Sequence, residues 1–354
     1  MSHVYVSVVS FPHVKKLRVL VLVHDYLVPP ADVSGHDLAT AQWKTEYDVI
    51  RTVRDDLEHD VQVLGVRDDL AGIRQANDEF KPHIAFNLLE AFHEIGSFDQ
   101  NVVSYLELLR LPYSGCNPRG MLLARDKALS KELLQFHRIP VPGFMMVGRG
   151  RKPRLPRKLT FPLIVKSLTQ EASIGISQAS VVEDETKLRE RVQFIHESVS
   201  TDAIVEQYVE GRELYCGIIG NQRTQMLPVW EMTFAKMPDD QHRIATERVK
   251  WSAKYQEKMG IATGEAKDLP PGAAERIQHV SKRVYKVLQL SGYARIDLRL
   301  DAAGGVHVLE ANPNPQIARN EDFAESAKKA GIAYPALLQR ILTTGMRWEP
   351  ERAG

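Results

Sequence analysis

The chain of 354 residues exceeds the roughly 250–300 residues over which one hydrophobic core grows, so its length predicts more than one domain. A net charge of +1, with 26% charged residues, excludes the global field that would attract nucleic acid or an anionic membrane. Only two cysteines are present, Cys116 and Cys216, and no apolar run reaches the roughly 18 residues of a membrane span. We expect a cytoplasmic protein with no nucleic-acid or membrane partner.

The N-terminal part predicts a doubly wound parallel α/β domain over residues 17–118, after a loose extension over residues 1–16. Short apolar runs typical of buried strands alternate with longer amphipathic runs typical of helices. Strands are predicted at 17–25, 61–66, 83–89 and 112–115, and helices at 40–57, 68–79 and 99–110. This alternation indicates a parallel sheet with helices on its faces.

Two modules of α+β texture are predicted to follow, a central one over residues 119–222 and a C-terminal one over residues 223–345. In the central module we expect helices at 126–138 and 184–199, and antiparallel strands at 161–167, 177–182, 203–209 and 212–219. In the C-terminal module we expect a helix at 273–291, a hairpin over 294–311 and a helical stretch over 321–343.

The hairpin ARIDLRLDAAGGVHVLEANPNP carries the strongest signal for chemistry. Side chains at i and i+2 share one face of a strand, so Arg295 and Asp297 point together, as do Glu310 and Asn312. With a four-residue loop at 302–305, Asp297 stands directly opposite Glu310. Two opposed carboxylates with an amide beside them suit Mg²⁺ or Mn²⁺ bound together with substrate phosphates. The alternative is an ordinary hairpin with a solvated polar face.

Two lysines are placed to meet phosphates. Lys166 ends the apolar strand FPLIVK and precedes the loop SLTQEASIGIS, where Ser173 and Gly175 let backbone N–H groups approach phosphate oxygens. Lys127 begins a predicted helix. The alternatives are an ordinary turn after a strand and an exposed surface lysine.

Two carboxylates lie near the ends of the connection between the apolar strands in AIVEQYVEGRELYCGIIG. Glu206 and Glu213 could accept hydrogen bonds from an adenine amino group and from ribose hydroxyls. Surface salt bridges are the alternative.

A separate basic run, GRGRKPRLPRK at 148–158, lacks the interleaved aromatic residues that stack on bases, which favours a solvated loop over a phosphate-rich partner.

Taken in order, these segments resemble the ATP-grasp superfamily and, within it, the D-alanine–D-alanine ligases. PYSGCNP with DKALSKELLQFHRIPVPGF is similar to the family's first ATP-binding lysine, and FPLIVKSLTQEASIGIS to its second lysine and phosphate loop. VEQYVEGRELYCGIIG resembles the adenine and ribose clamp, SAKY at 252–255 a lysine–tyrosine pair, and RIDLRLDAAGGVHVLEANPNP the metal-ligand hairpin. The resemblance spans about residues 17–342 and implies the ATP-grasp fold, with two modules clamping ATP.

The resemblance implies a role for each matching position. Lys254, Tyr255, Ser173 and Arg295 are implied to act on the transferring phosphoryl group, and Asp297, Glu310 and Asn312 to hold two Mg²⁺ ions. The residues implied to contact ATP are Lys127, Lys166, Ser173, Glu206, Tyr208, Val209, Glu213, Lys254 and Leu309. The family's dimer is implied as the assembly.

The chemistry implied is the joining of a carboxylate to an amine. Transfer of the γ-phosphoryl group of ATP to the carboxylate makes an acyl phosphate, and the amine then displaces phosphate. Both steps pass through concentrated negative charge, which metal ions, lysines and Arg295 stabilise. The intermediate has to be kept from water, and the loop at 167–177 is the natural cover.

The sequence departs from the family where the substrates are recognised. Asp48 is the best counterpart of a glutamate that holds the first substrate's ammonium group, and Glu90 or His93 replaces a histidine–glycine pair. His24 follows the first strand at the ligand face of a parallel sheet.

The acceptor region departs further, because the stretch after the metal ligands differs from that of the D-alanine–D-alanine ligases. The residues found there are Gln316, Arg319, Glu321 and Asp322. Their carboxylates would repel an acceptor carboxylate, unless Arg319 points inward, so we expect an acceptor other than D-alanine. The alternatives are a genuine D-alanine–D-alanine ligase and an ATP-binding sensor or scaffold without catalysis.

Overall fold

The computed structural model describes residues 15–170 and 173–349. Of the predicted extension over residues 1–16, all but the last two residues lie outside this range. The described residues form three sheets with helices packed on them, which agrees with the predicted combination of a parallel α/β part and antiparallel α+β parts.

The N-terminal part holds a parallel three-stranded sheet in the order β2-β1-β3. Its elements are β1 (Arg18–His24), α1 (Lys44–Arg51), β2 (Asp60–Val66), α2 (Ala71–Phe80), β3 (Ile84–Asn87) and α3 (Asp99–Leu108). The strand predicted at 112–115 is reduced to hydrogen bonds on both sides of Ala85, one to the carbonyl of Pro112 and one from the amide of Ser114. The left-handed backbone of Gly115, with φ of +95°, then ends the extended run.

The central part begins with two consecutive helices, of which the second corresponds to the helix predicted at 126–138 and the first was not predicted. Its elements are α4 (Pro118–Arg125), α5 (Lys127–Phe136), β4 (Phe144–Val147), β5 (Leu163–Ser167), β6 (Val181–Val182), α6 (Glu185–Phe194) and β7 (Ala203–Gln207). The side chain of Asp126 accepts hydrogen bonds from two backbone amides of α5 and so caps its first turn. The four strands form an antiparallel sheet in the order β4-β7-β5-β6.

The third sheet has five antiparallel strands in the order β10-β9-β8-β11-β12. The elements of this part are β8 (Arg212–Gly220), β9 (Thr224–Phe234), α7 (Glu247–Trp251), α8 (Ala253–Met259), β10 (Ile261–Glu265), α9 (Ala273–Val287), β11 (Tyr293–Leu300), β12 (Val306–Pro313), α10 (Asp322–Lys329) and α11 (Tyr334–Met346).

β8, which falls within the predicted central module, lies in the five-stranded sheet and not in the central sheet. β7 and β8 are consecutive in sequence, but β7 pairs with β4 and β5, whereas β8 pairs with β9 and β11. The connection at 208–211 therefore crosses from one sheet to the other. Glu206 and Glu213, on either side of this crossing, face the space between the two sheets. The division of the chain into modules at 222/223 stays a prediction.

The predicted register of the β11–β12 hairpin is confirmed at the residues that matter. Asp297 lies opposite Glu310, and Arg295 opposite Asn312. The loop between the strands spans five residues rather than four, so Leu300 pairs with Val306. A bulge at Leu309 then shifts the register by one residue and restores the predicted pairing beyond it.

Most of the hydrophobic core of the central sheet is separate from the rest of the described core, although Ile164 and Val181 also pack against Ile244. One cluster joins residues of β1 and α3 to residues of β8, β11 and α9. Another cluster lies between β4, β5, β7 and α6 and draws on the central part alone. Cys116 and Cys216 are buried and are not joined in a disulfide. The central part thus forms one wall of a cleft, and the five-stranded sheet forms the other.

Candidate active site

The cleft between the four-stranded and five-stranded sheets, here the inter-sheet cleft, collects most of the predicted ATP and metal residues. The predicted residues that line it are Lys127, Lys166, Ser173, Glu206, Tyr208, Val209, Glu213, Asp297, Leu309 and Glu310. They come from α5, β5, β7, β8, the hairpin of β11 and β12, and the connections that follow β5 and β7. Residues far apart in the sequence therefore meet in one cleft.

A buried carboxylate between two lysines forms the floor of the inter-sheet cleft. The Glu206 carboxylate lies 3.0 Å from Lys166 Nζ and 3.3 Å from Lys131 Nζ, and all three side chains are largely buried. Burial alone would raise the pKa of Glu206, but the two lysines hold it below its ordinary value. Lys131 also donates a hydrogen bond to the carbonyl of Leu309, which ties α5 to the bulge of the hairpin.

Sequence reasoning missed Lys131, although a signal for it was present. Lys131 follows Lys127 by four residues on α5, and residues at i and i+4 share one face of a helix. Lys127 is buried at the first position of this helix, where its ammonium donates to the carbonyl of Gln170 at 2.7 Å and lies 3.8 Å from the Glu310 carboxylate. Lys127 therefore lines the cleft, and Lys131 lies buried beneath it against Glu206. The interpretation of Lys127 as an exposed surface lysine is wrong.

The second predicted carboxylate, Glu213, is fixed by an arginine that the sequence analysis did not single out. Arg299 Nη2 donates to Glu213 Oε2 at 2.7 Å, and the hydroxyl of Tyr215 donates to Oε1 at 3.0 Å. The guanidinium of Arg299 also lies 5.9 Å from the ring centroid of Tyr208. Arg299 follows Asp297 by two residues on β11, which places both on the same face of the strand.

The hairpin of β11 and β12 presents a set of oxygen donors. Asp297 accepts two hydrogen bonds from Arg295, at 2.7 and 2.8 Å, and the arginine stacks over the ring of Tyr215 at 4.6 Å. A carboxylate offers about four lone-pair sites, so two remain for another partner. Burial alone would raise the pKa of Glu310, but Lys127, Lys250 and other cations lower it to about 2.

The buried Nδ2 of Asn312 has no hydrogen-bond partner in the described chain, and the atom of this amide that would bind a metal ion is its Oδ1. Within residues 15–170 and 173–349, no group of three or more His, Cys, Asp or Glu is arranged to hold a metal ion. Two carboxylates and one amide are therefore the protein's donors here. That set fits Mg²⁺, which keeps several waters and shares its site with substrate phosphates.

The lysine that reaches the cleft from the segment before β10 is Lys250, not Lys254. Lys250 lines both the inter-sheet cleft and the larger cavity beside it. Lys254 is exposed, and Tyr255 packs half-buried against the cluster around Tyr215. The helix breaks at Ser252, which caps α8, so Lys250 and Lys254 lie on different helices. The structure does not bring Lys254 to the site.

A larger cavity of about 640 Å³ opens beside the cleft, between the carboxyl ends of β1 and β3 and the five-stranded sheet. The residues singled out in the sequence that line it are His24, Glu90, Arg295, Asn312, Gln316, Glu321 and Asp322. Its volume lies in the range of small-molecule sites, roughly 300–1,000 Å³. His93 does not line it.

Asp48 and Arg319 do not line this cavity. Instead, each contacts the segment of the chain that carries the other. Asp48 accepts a hydrogen bond from the Arg319 amide at 2.9 Å. The Arg319 guanidinium donates to Thr52 and Asp56 and stacks over the ring of Tyr334. Neither residue lines the cavity, so Arg319 does not offset the carboxylates there.

The carboxylate that α1 directs into the cavity is Glu46. It is buried, its Oε2 has no hydrogen-bond partner in the described chain, and burial raises its pKa to about 7. Glu46 precedes the buried residues Val49, Ile50 and Val53 by three, four and seven positions, which is the spacing of one helix face. That periodicity was the signal that favours Glu46 over Asp48.

Comparisons with solved structures define the class to which this fold belongs. The solved structure of a D-alanine–D-alanine ligase from Bacillus anthracis, in complex with ATP, has a TM-score of 0.71 at 23% identity and covers 94% of this chain and 98% of its own. The VanG D-Ala:D-Ser ligase from Enterococcus faecalis has a TM-score of 0.67 at 16% identity, covering 94% of this chain and all of its own. The fold is that of an ATP-grasp enzyme.

Sequence comparison narrows the class. The family described as D-ala D-ala ligase C-terminus matches residues 133–343, which is more than half of the chain. A D-alanine–D-alanine ligase of Bacillus anthracis is 30% identical over 270 residues, 76% of this chain and 82% of the relative. The protein belongs to the D-alanine–D-alanine ligase family, and it is an ATP-dependent ligase that forms a C–N bond and requires a divalent metal ion.

Two further observations concern the membrane and nucleic-acid partners considered in the sequence analysis. None of their helices is both long and apolar enough to cross a membrane. The basic side chains of the run at 148–158 are all exposed.

Proposed function

We propose that the protein joins an amino acid, through its carboxylate, to an amine other than D-alanine, by way of an acyl phosphate. The observation that carries the proposal is the pairing of Asp297 with Glu310 across the hairpin, within reach of Lys127 and Lys250. Opposed carboxylates beside lysines suit a metal-bound triphosphate. The large cavity adjoins this point, which suits substrates that react with the terminal phosphate.

Asp297, Glu310 and Asn312 would hold two Mg²⁺ ions, which supply charge neutralisation of the triphosphate when bound. Lys127 and Lys166 would bind its phosphate oxygens as fixed point charges. Glu213, held by Arg299, would accept hydrogen bonds from the ribose. Because two lysines already engage Glu206, its role would extend to stabilising the charged forms of Lys131 and Lys166 and to holding Lys166 at the cleft.

The reaction would proceed in two displacements. A carboxylate oxygen of the donor attacks the γ-phosphorus, the bond to the β-phosphate oxygen breaks, and ADP leaves. The amine then attacks the acyl carbon, and phosphate leaves with the former carboxylate oxygen. Arg295, held in place by Asp297, would stabilise the negative charge that develops in both steps.

Glu46 would hold the ammonium group of the donor. Its carboxylate is buried in the wall of the large cavity and has an oxygen without a partner in the described chain. An ammonium group would supply both the missing hydrogen bond and the missing counter-charge. This role falls to Glu46 rather than to Asp48, whose carboxylate accepts from the Arg319 amide.

The role of Glu46 predicts a pH dependence. Because burial raises its pKa to about 7, the carboxyl is protonated and uncharged at lower pH. We expect kcat/KM for the donor to decrease as the pH is lowered below 7. This decrease should approach about tenfold per pH unit. In the Glu46→Gln variant kcat/KM should be at least tenfold lower at pH 8, and this acid limb should be absent. A retained limb would contradict the assignment.

The acceptor proposal rests on the charges at the far end of the large cavity. Glu321 and Asp322 line it there; Lys44 lies 3.2 Å from Glu321, and the indole of Trp230 donates to Asp322 at 3.2 Å. Two of the cavity's cations are engaged within the protein, since Arg295 binds Asp297 and Arg125 binds Asp99, and Lys250 lies where the cavity meets the inter-sheet cleft. An acceptor carboxylate placed beside Glu321 and Asp322 would meet like charge, which lowers the affinity on the order of tenfold or more.

A matched pair of acceptors tests this proposal. With D-alanine as donor, D-alaninamide should give a kcat/KM for ADP release at least tenfold above that of D-alanine as acceptor, because it lacks the repelled carboxylate. The double variant Glu321→Gln, Asp322→Asn should reduce that preference. Equal or better use of D-alanine would identify a D-alanine–D-alanine ligase instead. ATP binding without turnover over a broad set of acids and amines would favour a protein without catalysis.

A further inference from the structure

We propose that Arg191, on α6, is a positioning residue that holds the turn at residues 173–178 in its phosphate-binding shape. The inference rests on the proposed binding of ATP in the inter-sheet cleft, but not on the identity of either substrate. Ser173, Ile174 and Ile176 of this turn line the cleft, whereas Arg191 does not. Arg191 would therefore act on the nucleotide only through the turn.

The side chain of Arg191 reaches the turn from behind. Its Nη2 donates to the carbonyl of Gly175 and, at 2.8 Å, to the hydroxyl of Ser180. The guanidinium also stacks over the ring of Phe194, with its central carbon 4.2 Å from the ring centroid. Arg191 is only 9% exposed, so these contacts are made out of water, where hydrogen bonds from a charged group are strongest.

The backbone at the point of contact leaves the turn little freedom. Gly175 has a φ of +71°, and a Cβ placed there would meet Val199 Cγ2 at 2.9 Å. Ser173, two residues earlier, also has a positive φ, of 61°. Glycine adopts a left-handed backbone freely, but at Ser173 this conformation is costly unless the surroundings fix it. Arg191 supplies such a fixed point by binding the Gly175 carbonyl, which lies between these two residues and the rest of the turn.

The opposite side of the turn is tied to the segment that carries Lys250. The Glu247 amide donates to the carbonyl of Ile176 at 3.1 Å. The side-chain amide of Gln178 pairs with the backbone of His242 in both directions, each hydrogen bond being 2.9 Å long. The turn thus links α6 to the 242–250 segment, and Arg191 anchors the end of that link on the central part.

Loss of this anchor should loosen the turn in a way that activity measurements distinguish from general destabilisation. A looser turn binds phosphates less tightly and admits water to the cleft. The Arg191→Gln variant should therefore raise the Kd for ADP with Mg²⁺ by roughly tenfold, which is the effect of losing one charged hydrogen bond. It should also raise the share of ATP that is hydrolysed without ligation.

The test compares three variants in the full-length chain. Arg189→Gln removes the same group from the same helix, but Arg189 is exposed and pairs with Glu185. The Kd for ADP and the ratio of hydrolysis to ligation in this variant should therefore match those of the unaltered protein. Arg191→Lys keeps the charge, so its Kd for ADP should lie between those of Arg191→Gln and the unaltered protein. ADP binding is measured by calorimetry without acid or amine, so the result does not depend on the proposed acceptor.

A Kd and a ratio of hydrolysis to ligation that are unchanged in folded Arg191→Gln would overturn the proposal. If Arg191→Gln does not fold, Arg191→Lys decides the matter in the same way. A loss of thermal stability with unchanged ADP affinity would mean that Arg191 has only a structural role, and it would also overturn the proposal.

Discussion

Replacing Arg295 by methionine is expected to lower kcat by about 10³-fold, in line with the loss of an arginine that stabilises a phosphoryl-transfer transition state. Arg295 lies opposite Asn312 on the hairpin and lines the large cavity, so it can reach the transferring group. The Kd for ADP should change far less than kcat, because charge develops at this point only during the reaction.

Two control variants define this effect. Arg295→Lys keeps a charge but loses the paired hydrogen bonds to Asp297, and it should recover only part of the rate. Arg223→Met, at an exposed position between β8 and β9, should leave kcat unchanged. A kcat for Arg295→Met within tenfold of the unaltered enzyme would contradict the role given to Arg295.

The second large effect is expected from Glu310→Gln, which removes one negative charge from the proposed metal site without changing its size. The rate of ADP release at saturating ATP should fall by at least about 10³-fold. The Mg²⁺ concentration for half-maximal activity should rise as well, because an amide is a weaker ligand than a carboxylate for a hard cation.

The matched control for this variant is Glu132→Gln on α5, where the carboxylate is exposed. Its Mg²⁺ activation curve should overlay that of the unaltered enzyme. An unchanged curve for Glu310→Gln would show that Glu310 does not bind the metal ion. A binding titration with Mn²⁺, followed by electron paramagnetic resonance, measures the loss of the site independently of turnover.

The hairpin shows how much of the fold was predictable and why. Strand periodicity alone set Asp297 and Arg295 on one face and Glu310 and Asn312 on the same face of the partner strand. The register across the hairpin came out as predicted although the loop is one residue longer, because the bulge at Leu309 compensates. A bulge has no reliable sequence signature, so its position could not be predicted.

The crossing of the chain between β7 and β8 was beyond sequence reasoning for a related reason. Both strands are largely apolar, and the pattern indicates that each is buried but not which sheet each joins. The structure assigns them to different sheets, and this crossing brings Glu206 and Glu213 to opposite sides of one cleft.

The sequence analysis missed residues at the site for two different reasons. Glu46 and Lys131 lie on helix faces that the spacing of their neighbours identifies, so a stricter use of periodicity would have found them. Lys250 depends on where α7 ends and α8 begins, and a one-residue break at Ser252 decides which lysine faces the cleft. Helix ends are the least predictable part of a helix.

The most direct test of the proposed mechanism follows an oxygen atom. The donor amino acid, labelled with ¹⁸O in its carboxylate, is incubated with ATP, Mg²⁺ and the best acceptor, and the phosphate released is analysed by mass spectrometry. An acyl phosphate predicts one ¹⁸O in each phosphate for every amide bond formed, because the carboxylate oxygen leaves with phosphorus. Unlabelled phosphate, or label found only in AMP, would contradict the mechanism proposed for this enzyme.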